Sequence, residues 1–216
     1  MGKWGYTFGM QQLVMIGLMV AGFSVGAALP PHLQKFEIAK PTPEWGGECI
    51  KLPPGFAPKL GLKGIEEILF APGMFKAEAQ NFFTYVFLFA LEQKPVLTAE
   101  VLRRELLVYY TGLSKARLND PKLDVSKFTV KLEPVKENGV SPKGALNVKS
   151  YRAEVVWLEP FTTKKMQTLH FELQTWQYKG SANQYLFVSA SPQKSTAPIW
   201  KTMRGIRASV KLKPAK

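Results

Sequence analysis

The sequence predicts an α+β domain: a mostly antiparallel, twisted sheet of about six to seven strands flanked by two main helices. Three observations carry this. Apolar runs of strand length follow one another through short turn signals, which makes neighbours in sequence antiparallel neighbours in space. Thr98–Gly112 carries a helical apolar stripe with capping residues at both ends. Pro198–Val210 repeats that pattern near the end of the chain.

The middle of the domain is GIEEILFAPGMFKAEAQNFFTYVFLFAL, from Gly64 to Leu91. It reads as strands Ile65–Phe70 and Phe82–Leu91 joined through Ala71-Pro72-Gly73. Alternation puts Phe83, Tyr85, Phe87, Phe89 and Leu91 on one side, with Phe82, Thr84, Val86, Leu88 and Ala90 on the other. Both sides are apolar, as a strand covered on both faces requires. The aromatic and β-branched density selects a strand over a buried helix. Before this pair, Glu48–Leu52 is a first short strand closed by Pro53-Pro54-Gly55.

In the helix after Lys94-Pro95, Thr98 is the N-cap, Glu100 suits the first turn and Gly112 is the C′ residue. Leu102, Leu106, Tyr109, Tyr110 and Leu113 form its apolar stripe, and Glu100 pairs with Arg104 on the opposite side. Downstream, Ser126–Leu132 alternates as a half-exposed strand. Tyr151–Leu158, Met166–Tyr178 and Asn183–Ser191 are further strands between turns. In the last helix Ile199, Met203, Ile206 and Val210 share a face, and Trp200 beside them is an anchoring core aromatic.

Leu13–Ala28 is an uncharged apolar run ending in small residues, with Lys3 the only charge before it. It is shorter than the ~20 residues of a membrane span and has the form of a signal-peptide core. Gly26 and Ala28 fit a cleavage site, so the mature chain is expected to begin at Leu29. The expected compartment is then the periplasm or the extracellular space. An uncleaved anchor over Phe8–Leu29 is the alternative, and a start at Met10 would shorten the leader. Residues 29–46 read as a proline-rich lead-in and 47–216 as a single α+β domain.

The 216 residues carry a formal charge of +13, mostly as lysine, and 46% hydrophobic residues support a core. Scattered lysines with few arginines argue against sequence-specific nucleic-acid binding, where arginine's planar fork reads bases and phosphates. An anionic membrane surface stays possible as a partner. The single cysteine, Cys49, excludes an intrachain disulfide and is expected to pack as a small hydrophobe.

No P-loop, dinucleotide fingerprint, zinc-protease motif, paired-cysteine motif or nucleophile elbow occurs. No cofactor and no metal is therefore expected. Of the two histidines, His32 lies in the lead-in. On the strand through LHFELQTWQY, His170, Glu172, Gln174, Trp176 and Tyr178 share one side, opposite Leu169, Phe171 and Leu173. This row is the candidate ligand-binding surface for a protein or small molecule. If a helix covers it, Trp176 and Tyr178 are core instead. His170 with Glu172 could also orient a general base, but the row lacks the convergence a catalytic site needs. Glu66 and Glu67, adjacent on a strand, point to opposite faces and are expected to be edge charges.

This element order resembles the Mog1/PsbP-like group of α+β domains, in which IWKTMRGIRASV would be the closing helix. The resemblance runs from Glu48 to Leu212. It implies the fold and a binding or accessory role without catalysis, and it carries no family site residue. KGIEEILFAPGMF, and SPQ followed by IWKTM, are also similar to exported bacterial proteins without an assigned activity. The reading is an exported, non-catalytic binding or accessory module of the cell envelope. Its alternatives are a hydrolase-like enzyme using His170 and Glu172, or a membrane-anchored surface protein.

Overall fold

The computed structural model describes residues 38–136 and 139–211. The expected leader, its cleavage site and His32 lie outside the described residues. The elements follow in the order β1 (Gly46–Leu52), β2 (Gly64–Phe70), β3 (Tyr85–Leu91), α1 (Ala99–Leu118), β4 (Thr129–Val135), β5 (Leu146–Leu158), β6 (Met166–Gln177), β7 (Gln184–Ser191) and α2 (Pro198–Ala208). All seven strands form one antiparallel sheet, ordered β1-β2-β3-β7-β6-β5-β4. This is the α+β class expected, with the expected succession of strands and helices.

The topology follows from one long connection. β1, β2 and β3 are a meander, and α1 then carries the chain to the far edge, where β4 starts a second meander that returns to β3 through β7. β3 and β7 are therefore central, and every residue of β7 is buried. Alternation on β3 divides the molecule into two cores. Tyr85, Phe87, Phe89 and Leu91 join Leu102, Leu106, Tyr109 and Tyr110 of α1 on one face. Val86 and Leu88 join Phe187, Trp200, Met203 and Ile206 under α2 on the other. A buried side chain such as Phe87, 1% exposed, contributes about 1.5–3 kcal/mol by leaving water.

Several boundaries differ from the sequence reading, each for a local reason. β3 begins three residues later than expected, because Phe83 has a positive φ of 46° and interrupts the alternation. Phe82 consequently packs on the α1 side rather than with Val86. α1 does not stop at Gly112 but runs on to Leu118, where Asn119 takes the left-handed cap conformation (φ 53°). Gly112 serves another purpose: a β-carbon there would lie 2.3 Å from the Phe56 carbonyl oxygen, so the missing side chain lets the 53–63 connection pack on the helix. Arg104 is held by Glu105 (Nε–Oε1 2.9 Å) rather than Glu100, and Glu105 also accepts a hydrogen bond from the Gly61 backbone at 2.7 Å. β4 is displaced towards the C-terminus from Ser126–Leu132, because Asp124 and Val125 close turns onto Ser126 and Phe128.

Glu66 and Glu67 do take opposite faces, but they are not edge charges. β2 lies between β1 and β3, and the two residues are 0% and 4% exposed. Tyr109 donates to Glu66 Oε1 at 2.9 Å on the α1 face, and Glu67 Oε2 accepts from the Ile38 backbone at 3.3 Å on the other. Ile38 and Trp45 sit in the α2-side core, so the end of the lead-in is part of the packed unit. Cys49 is buried, and its thiol is pushed up to about 11 by burial and then by the neighbouring Glu67, Glu66 and Glu48. No helix among the described residues is long and apolar enough to cross a membrane.

Candidate functional site

α1 spans its sheet face with twenty residues, whereas α2 has eleven and packs against the β7 side of the other face. The β4–β5–β6 part of that second face is left to polar side chains. Register builds it in cross-strand rows: Lys131, Glu154 and His170 are successive partners, and Glu133, Arg152 and Glu172 form the adjacent row. Charges of both signs thus alternate along and across the strands. Above them lies an open groove of about 700 Å³, walled on the α2 side by Lys194, Ser195, Thr196 and Trp200.

The five residues expected to form a ligand surface fall into different surroundings. His170 lines the groove with its side chain 34% exposed, and its Nδ1 lies 3.4 Å from Glu154 Oε1. Glu172 borders the same groove but is only 2% exposed. Arg204 of α2 grips it with two hydrogen bonds (Nε–Oε2 3.0 Å, Nη2–Oε1 2.6 Å), and Arg207 Nη1 stands 3.9 Å from Oε2. Gln174, also buried, donates from Nε2 to Ser150 Oγ at 3.3 Å, while its Oε1 has no hydrogen-bond partner among the described residues. It floors a second, smaller recess of about 490 Å³ with Lys136, Val140, Ser141, Val148 and Ser150. Trp176 is fully buried and stacks on Tyr185 at 6.0 Å, and Tyr178 packs edge-on to both rings. Trp176 and Tyr178 thus belong to the core beside α2, the second of the two readings their positions allowed.

Alternation placed all these residues on one face correctly, but α2 divides that face. His170 and Glu172 are neighbours in the row, yet Glu172 is turned to Arg204 and it is Glu154 that meets the imidazole. Arg207 is fully buried, and burial lowers its guanidinium to about 10 against the opposing pull of Glu172. The Glu172–Arg204–Arg207 cluster thus reads as the polar clamp that seats α2 on the sheet.

Sequence reasoning missed Lys131, Glu133, Arg152, Glu154 and Lys194. The alternating signs at positions two apart on β4 and β5 were the available signal, but only register shows that they line one groove with His170. Among the described residues Lys131, Glu133, Arg152 and Lys194 make no ion pair. No group of three or more histidine, cysteine, aspartate or glutamate side chains could hold a metal among the described residues. No family model, curated protein or solved structure matches the chain.

Proposed function

We propose that the protein is an exported, non-catalytic binding or accessory module of the cell envelope, and that the β4–β6 groove receives its ligand or partner. One observation carries the proposal: α2 leaves a large, concave part of its sheet face open, and among the described residues the charged side chains Lys131, Glu133, Arg152 and Lys194 lining it make no ion pair. A volume of this size matches small-molecule and peptide sites. The early strands, long helix, meander and closing helix support kinship of architecture with the Mog1/PsbP-like group. Export rests on the run Leu13–Ala28 and its small-residue end.

The hydrolase reading has less support. A general base needs an orienting partner and a reacting group within hydrogen-bond reach. Glu172 is held by Arg204, and the one polar contact of His170 among the described residues is with Glu154. The membrane-anchored reading rests on the leader alone.

Cross-linking in the envelope of the organism that makes the protein, followed by mass spectrometry, tests the proposal. A partner captured by the wild-type protein and lost with Arg152→Glu, together with an N-terminus at Leu29, is the expected result. Capture that ignores groove substitutions would move the binding surface elsewhere. A hydrolytic turnover abolished by His170→Ala would replace the module reading with the enzyme.

A further inference from the structure

The groove's charge pattern points to the chemistry of its occupant. Glu133 and Arg152 are directly opposed across β4 and β5, so their β-carbons stand about 4.5–5.5 Å apart, as cross-strand partners do. Opposite charges so placed normally close on one another, but no ion pair joins them, and Glu172 on the other side of Arg152 is taken by Arg204. Lys131 and Glu154 repeat the arrangement one row along: they are register partners, no ion pair joins them, and Glu154 meets His170 instead. Lys194, on the α2 side of the groove, adds a third cation without an ion pair among the described residues.

We propose that the groove binds a zwitterion, namely a short peptide with both termini free. The groove lacks the single-sign field that would favour a polyanion or a polycation, because Glu133 and Glu154 oppose the first and Lys131, Arg152 and Lys194 oppose the second. A molecule carrying both charges satisfies both sets. Its carboxylate meets Arg152, whose planar fork suits two-point binding of a carboxylate, with Lys194 adding charge. Its ammonium lies against Glu133 and Glu154. The volume of about 700 Å³ accepts several residues of extended peptide.

This inference rests on the groove being the ligand surface, and the test separates the two. Trialanine is titrated calorimetrically into the full chain, alongside N-acetyl-trialanine and trialanine amide. Expected is saturable binding of trialanine, weakened at least tenfold by either blocked end. Arg152→Gln and Glu133→Gln should each weaken it at least tenfold while leaving the melting temperature unchanged, since both side chains are exposed. Equal binding of the acetylated peptide would make the site one for anions, and equal binding of the amide one for cations; either overturns the zwitterion. No heat with trialanine, or binding indifferent to both substitutions, overturns it as well. If cross-linking still finds a partner that Arg152→Glu releases, the binding module stands while this inference falls.

Discussion

On the α1 face Glu66 is buried beneath Tyr109; on the α2 face Glu172 is buried almost as deeply beneath Arg204 and Arg207. The surroundings treat the two carboxyls differently. Burial drives Glu66 up to about 8, partly opposed by the Tyr109 hydroxyl and reinforced by Glu48, so at neutral pH it keeps its proton. Its Oε2 has no hydrogen-bond partner among the described residues. Glu172 instead has guanidinium donors on both oxygens. A long aromatic helix can seal its face and hold a neutral acid within. A short helix carrying two arginines grips its face through charge and leaves the rest open.

The largest expected effect tests the neutral acid. Because the folded value of Glu66, about 8, lies above its ordinary 4.5, its contribution is complete below pH 4.5 and is lost as pH rises through 8. The span corresponds to roughly 5 kcal/mol at most, by ~1.4 kcal/mol for each unit. Chemical denaturation from pH 4 to 9 should show the wild-type protein losing stability relative to Glu66→Gln, which cannot ionise. Parallel curves for the two proteins would mean that Glu66 is ionised in the folded state and that the contrast is mistaken.

Breaking the clamp comes next. Glu172→Ala removes the buried carboxylate that Arg204 grips and Arg207 faces, and should cost about 3–5 kcal/mol. Urea midpoints of the variant and the wild type would reveal the loss. A loss below about 1 kcal/mol for Glu172→Ala would show that apolar packing alone seats α2.

A smaller effect sharpens the α1 side. Gly112→Ala ordinarily gains about 1 kcal/mol in a helix interior. Here the new methyl meets the Phe56 carbonyl, so a net destabilisation of about 1–3 kcal/mol is expected by thermal or urea denaturation. A stabilised variant would mean that the 53–63 connection yields readily. The smallest effect belongs to the open surface. Lys131→Ala should stay within about 0.5 kcal/mol of the wild type, since the side chain is exposed and makes no ion pair among the described residues. A larger urea shift would show that the charged rows brace the sheet.

The sequence by itself determined the succession of elements and the two-sided burial of β3, because Phe87 beside Leu88 leaves no face for water. The assignment of Leu169, Phe171 and Leu173 to one side of β6 and His170, Glu172 and Gln174 to the other was legible for the same reason: side chains alternate along any strand. The Thr98 cap was equally local, and its hydroxyl does accept the Val101 backbone at 3.2 Å. Events between distant segments were not legible. Only the tertiary structure buried Glu66 and Glu67, since Tyr109 of α1 covers one face of β2 and the Ile38 segment the other. Only the tertiary structure explained Gly112, which answers to Phe56, and Trp176, which answers to α2. The groove belongs to that second kind. Lys131, Arg152 and His170 lie on separate strands, and the register of those strands and the reach of one short helix decide whether they share a surface.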